Sequence, residues 1–198
     1  DLIMMRTLTK KNKLNLNVKI GGCEAKNDIF FCQKIKVDSI VAPMVESDYA
    51  LKKFISCIGN NNYCKLFVNL ETKLALKNIK KIIKSKSFKK LDGLIIGRSD
   101  LAGSMGLEKK DVDSKKIFSL VNNSFKSIRS SNVKKIILKM GGSITPQSHQ
   151  FIKKLYKNKI IDFIETRNVE FKVDEKFLRN INEALSSAFN FEVEWLNI

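Results

Sequence analysis

Two acids carry the chemistry this sequence offers: Glu71 in KLFVNLET and Asp100 in LDGLIIGRSDLAGSMG. Each follows a short apolar run. Buried parallel strands read as near-continuous apolar runs, and ligands gather where such strands deliver the chain into a loop. Neighbouring strands lie ~4.8 Å apart, so carboxylates at the ends of two of them can reach one cation. Magnesium suits such a pair, because it is held by one or two carboxylates while water and substrate oxygens complete an octahedron. No His or Cys stands nearby to favour zinc. A divalent ion so held chelates the carboxylate and carbonyl of a 2-oxo acid and stabilises an enolate. The plainer reading makes Asp100 the cap of the next helix and the pair two unrelated strand-end acids.

Other residues gather at the same ends. Lys19 closes another apolar run and faces the mouth as a cationic donor to the developing enolate oxygen. Gly97, Gly103 and Gly106 permit close backbone approach, and amides from Ser99 to Leu101 suit a carboxylate. Lys139, just before Gly141-Gly142, offers a rival: a Schiff-base lysine on a barrel strand, needing no metal. A lysine so placed is more commonly solvated. Glu165 and Arg167 end a later strand, either against the distal part of a substrate or as an ion pair between barrel layers. His149 is the only histidine, and nothing sets a nucleophile beside it.

These residues need strands to hold them. Apolar runs at 16–20, 38–42, 65–70, 94–97, 135–140 and 160–164 read as six strands, with a seventh at 168–173. Helical spacing fits 1–9, 23–35 (Ile29, Phe30 and Cys32 inward), 48–58, 74–84 (Leu76, Ile79 and Ile83 inward), 114–129, 146–157 and 174–189. A polar turn falls at 59–62, and FNFEVEWLNI reads as an extended aromatic tail. Strands alternate with helices, which means a parallel sheet. Every strand ends in something polar or glycine-rich, and a barrel gathers all such ends around one mouth. The expectation is an α/β chain folded as a (β/α)8 TIM-type barrel lacking its first strand. It forms one domain over 1–198, with a C-terminal helix and tail from about 174. The chain opens on Asp1 inside a helix-like stretch, as a fragment or a processed product would, and the missing strand leaves two sheet edges open.

Composition narrows the class. The 198 residues are 43% hydrophobic and 29% charged, a balance that excludes wholesale disorder. No apolar run reaches the ~18 residues of a membrane span. A formal charge of +17 raises nucleic acid as a partner, but the excess is lysine spread along helical segments. Arginine clusters interleaved with aromatics are missing, so nucleic acid is not expected and anionic small molecules are. Cys23, Cys32, Cys57 and Cys64 show neither C-x-x-C pairing nor His at metal spacing, which suits free thiols in a reducing cytoplasm.

GLIIGRSDLAGSMG together with FVNLET resembles the paired metal motifs of the HpcH/HpaI aldolase/citrate lyase family. VKIGGCEAKNDIFFCQKIKVDSIVAPMVES resembles that family's strand-helix-strand leading into a proline-containing turn. GGSITPQSHQFI and DFIETRNVEF resemble a citrate-lyase-like branch. The resemblance implies a TIM barrel of the phosphoenolpyruvate/pyruvate type, with Glu71 and Asp100 as Mg²⁺ or Mn²⁺ ligands. It implies substrate contacts from Lys19, Gly97, Arg98, Ser99 and Asp100. The implied reaction is reversible carbon–carbon cleavage of a 2-oxo or hydroxy acid, pyruvate-like or oxaloacetate-like, or of its CoA thioester, through an enolate. It also implies a homo-oligomer. The sequence departs from the family pattern in three places: Lys19 stands where the family has arginine, no histidine base comes from the start of the barrel, and the first strand is absent. A non-catalytic barrel that binds a carboxylate metabolite or a protein partner is the alternative.

Overall fold

In the computed structural model, residues 1–59, 64–131, 133 and 135–197 are described. Past Gly59, the expected polar turn lies outside them. Seven strands form one sheet in the order β1 (Asn17–Lys19), β2 (Ser39–Ala42), β3 (Lys65–Asn69), β4 (Gly93–Gly97), β5 (Ile137–Gly141), β6 (Phe163–Glu165) and β7 (Glu170–Lys172). The first six pair in parallel, each with the next. α1 (Leu2–Lys11) precedes the sheet, and between its strands run α2 (Lys26–Lys34), α3 (Asp48–Ile58), α4 (Lys73–Lys77), α5 (Ile79–Lys84), α6 (Arg98–Gly103), α7 (Lys115–Arg129) and α8 (His149–Lys157). Two helices follow the sheet, α9 (Glu175–Arg179) and α10 (Ile181–Leu196).

The sheet is curled, a partial TIM-type barrel, and the strand period of two sorts its faces. Ile40, Val68, Leu94, Ile96, Leu138, Met140 and Ile164 point outward into the large core shared with the helices. Val41, Phe67 and Ile95, with Ile137 against them, form a separate inner cluster. Within the inner face, Val41, Phe67 and Ile137 lie on one level of the register, and Asn69, Ile95, Lys139 and Phe163 share the next. One level higher, Gly97 pairs with Gly141 and Glu165 with Glu170.

Several expectations are corrected. The seventh strand exists but runs antiparallel to β6, because Thr166 and Val169 close a short turn in which Thr166 N donates to the Val169 carbonyl at 2.8 Å. A turn this short can join only antiparallel strands. The aromatic tail is not extended: α10 continues to Leu196, and Phe191 stacks on Trp195 one helical turn away. The helix at 74–84 is divided at Asn78, whose side chain donates to the Glu46 carbonyl at 2.9 Å. Phe30 faces outward, 63% exposed, while Ile29 and Cys32 are buried as expected.

The two ends of the sheet are joined by side chains. Asn17 on β1 donates to Glu170 on β7 at 3.0 Å, and Ser39 donates to Asn17. The four cysteines form no disulfide, and burial pushes the Cys32 thiol up to about 11. Among the described residues no helix is long and apolar enough to cross a membrane.

Gly93 sets how tightly the inner face closes. A Cβ there would lie 2.3 Å from the Phe67 ring and 2.5 Å from the Ile137 carbonyl. Backbone cannot yield as a side chain can, so Gly93→Ala is expected to destabilise the protein by about 2–4 kcal/mol in urea unfolding.

Candidate active site

Glu71 leaves the end of β3 and turns back into the mouth of the curled sheet, where it is only 2% exposed. A buried carboxylate must be hydrogen-bonded, and the turn after β2 and the last residue of β3 provide for it. Met44 N, in the turn after β2, donates to Oε1 at 3.0 Å. Asn69 Nδ2 donates to Oε2 at 2.9 Å. Met44 takes a left-handed conformation (φ 52°) to do so, local strain that the turn after Pro43 imposes. Lys19 Nζ, on a half-exposed side chain, stands 4.0 Å from the same Oε2.

The carboxylate lies over Gly97, at the end of the adjacent parallel strand. A Cβ at Gly97 would come within 2.7 Å of Glu71 Oε2. Asp100 sits three residues on, in the first turn of α6, exposed, its carboxylate making no hydrogen bond or ion pair among the described residues, although its backbone carbonyl accepts from Ser104 N at 2.8 Å. The structure thus sets the two sequence-identified acids at the same end of neighbouring strands, one pinned and the other open to solvent.

This donor set fits a hard divalent ion. Each carboxylate keeps lone pairs to give, and Asn69 Oδ1 beside Glu71 is a buried acceptor with no donor. No three His, Cys, Asp or Glu residues converge among the described residues, so water and substrate oxygens would complete the shell.

Arg98 is placed differently from the expectation. It is fully buried and directed into the protein rather than toward a substrate. Its guanidinium pairs with Asp113 and donates to the carbonyls of Gly142 (3.0 Å) and Ser143 (3.2 Å) and to Ser148 Oγ (3.1 Å). The Phe151 ring lies 4.9 Å from it. Burial lowers its pKa, and Asp113 opposes that shift. Arg98 therefore clamps the loop after β5 onto the end of β4, which fixes the start of α6 and so Asp100. Ser99 is held by the same loop, its hydroxyl 2.9 Å from that of Ser143. Gly142 (φ 86°) makes the close approach possible, since a Cβ there would lie 2.5 Å from Ser99 N.

Lys139 is not solvated. It is 3% exposed, paired with Glu170, and its Nζ lies 3.9 Å from the Phe67 ring centroid. An amine occupied in this way is poorly placed for a Schiff base. Arg167 reaches outward to Glu192 on α10, 3.1 Å away, and Glu165 makes no pair with it.

The HpcH/HpaI aldolase/citrate lyase family matches residues 18–138, more than half of the chain. The chain belongs to that family. Solved structures share its fold. The citrate synthase SbnG superposes with a TM-score of 0.68 at 14% identity, covering 96% of this chain and 78% of that one. The HpcH/HpaI aldolase from Desulfitobacterium hafniense DCB-2 gives 0.66 at 11% identity, with 98% and 77% covered. RipC from Yersinia pestis gives 0.60 at 16% identity, with 81% and 73% covered. No curated protein matches the chain significantly. Family membership supports a carbon–carbon lyase kind of enzyme.

Glu165 is the residue whose importance the motif reading left open. Burial pushes its pKa up to about 7; Lys139 and Lys19 draw it down, while Glu170 and Glu71 push it further up. The folded protein therefore holds a proton that the unfolded chain releases from about pH 4.5 upward. Stability falls as pH rises through this window and levels off above it. In metal-free protein, Glu165→Gln should remove this loss and be the more stable form at pH 8. The expected gain is about 1–2 kcal/mol after allowing for partial exposure, with little gain at pH 4. Arg98→Met should cost about 3–5 kcal/mol in chemical unfolding, because Asp113 loses its buried partner. Arg98→Lys should recover little of that, lacking the planar fork.

Proposed function

We propose that the protein is a divalent-metal-dependent carbon–carbon lyase of the aldolase/citrate lyase type. Its substrates are small 2-oxo or hydroxy acids, pyruvate-like or oxaloacetate-like, free or as a thioester. The observation that supports this reading is the pinned Glu71 beside Gly97, with an unpaired Asp100 at the end of the adjoining strand. Glu71 and Asp100 would hold Mg²⁺ or Mn²⁺, and the ion, when bound, supplies the positive charge that stabilises an enolate.

The chain's own residues do the rest. Met44 N and Asn69 fix the Glu71 carboxylate so that binding requires no reorganisation at that side chain. Lys19 brings a second positive charge to the same mouth and can donate to a substrate oxygen. It cannot grip a carboxylate with two parallel N–H groups as arginine does, so substrate orientation rests more on the metal pair. Ser99 and Asp100, at the start of α6, border the space a substrate carboxylate would enter.

Metal-dependent enolisation gives the direct test. The protein should catalyse exchange of the pyruvate methyl protons with deuterated water in the presence of Mg²⁺, followed by proton NMR. A chelator should stop the exchange, and borohydride should trap no adduct. Trapping on Lys139 would favour the Schiff-base route instead. A barrel that only binds carboxylates would take up manganese yet leave the methyl protons in place. Asp100→Ala should abolish manganese binding, read by electron paramagnetic resonance, with thermal stability nearly unchanged because the side chain is exposed. Loss of the fold would show that Asp100 is structural.

A further inference from the structure

The two glycines at the mouth are register partners, Gly97 on β4 and Gly141 on β5. Glu71 lies over the first. Glu165, from the far side, lies over the second: a Cβ at Gly141 would come within 2.8 Å of its Cγ and 2.9 Å of its Oε1. The carboxylates thus approach the same glycine pair from opposite flanks, one from β3 and the other from β6. Their bonding differs. Both Glu71 oxygens are held by donors, whereas the Glu165 carboxylate accepts no hydrogen bond and makes no ion pair among the described residues. Lys139 beneath it is taken by Glu170, and Lys19 stands toward Glu71. The groups facing Glu165 are therefore Lys139, Lys19, Glu170 and Glu71. A half-buried, unheld carboxylate beside a fixed one is arranged for transfer rather than for support.

We infer that Glu165 is the acid–base residue of this site, the group that takes and returns the proton while Glu71 and Asp100 hold the metal. The inference rests on the lyase reading above. In the cleavage direction, the Glu165 carboxylate accepts the proton of the substrate's hydroxyl. The carbon–carbon pair moves into the enolate as the new carbonyl compound departs. The same proton then passes from Glu165 to the enolate carbon. No oxidant or further reactant is needed, and the residue returns to its starting state.

The test compares Glu165→Gln and Glu165→Asp with the wild-type protein, using manganese affinity by electron paramagnetic resonance and pyruvate proton exchange by NMR. Glu165→Gln should bind manganese as the wild type does but exchange protons about 100-fold more slowly or worse. Glu165→Asp, which keeps the acid on a shorter arm, should recover a measurable part of the rate. Exchange at the wild-type rate in Glu165→Gln would overturn the inference and leave the lyase reading standing. Manganese affinity lost in step with exchange would also overturn it, by making Glu165 a ligand. A wild-type protein that neither binds manganese nor exchanges protons would remove both.

Discussion

The mouth of this barrel depends on the pairing of Gly97 with Gly141. Any side chain at either position would collide with a carboxylate, Glu71 in one case and Glu165 in the other. With only hydrogen on both Cα atoms, acids from strands on either side lean over the β4–β5 ladder and share one small space. Glu71 is then held by an amide from the turn after β2 and by Asn69 on its own strand. Three strands and one strained turn thereby converge on a single carboxylate.

Two buried cations brace this arrangement, each removed from water and each paired. Such burial is costly, and the paired carboxylates offset it, although Arg98 Nε is left without an acceptor among the described residues. Arg98 ties the loop after β5 to the end of β4 and to the short 3-10 helix at Lys109–Asp113. Lys139 pairs with Glu170 on β7, which in turn accepts from Asn17 on β1. Through Glu170 the inner face is bonded across the seam between the two ends of the sheet, where no backbone ladder is formed among the described residues. The rigidity of the mouth and the closure of the curl thus share a residue.

Local sequence made much of this legible. Apolar runs locate the first six strands to within a few residues, most securely β2 to β5, which are nearly or wholly buried and so apolar on both faces. The family motifs picked out Glu71 and Asp100 because acids and glycines cluster at those strand ends. Misreadings arose where the deciding partner was distant in sequence. Arg98 stands beside Ser99 and Asp100, and only the carbonyls of Gly142 and Ser143, more than forty residues away, show that it faces inward. Lys139 looked like a surface lysine because Glu170 and Phe67 come from other strands. The last strand was placed correctly, but its direction depends on the turn at 166–169.

The sequence by itself determined the alternation of strands and helices, the family, and which acids end adjoining strands, because these follow from periodicity and short motifs. The tertiary structure decided which charged side chains meet. It turned Arg98 into a clamp and Lys139 into a seam bond, and it set Glu165 unheld across a glycine pair from Glu71. The physical reason is that the free energy of a charge in a protein depends on its solvent and its nearest opposite charge, and both are fixed by strands that neighbour in space rather than along the chain.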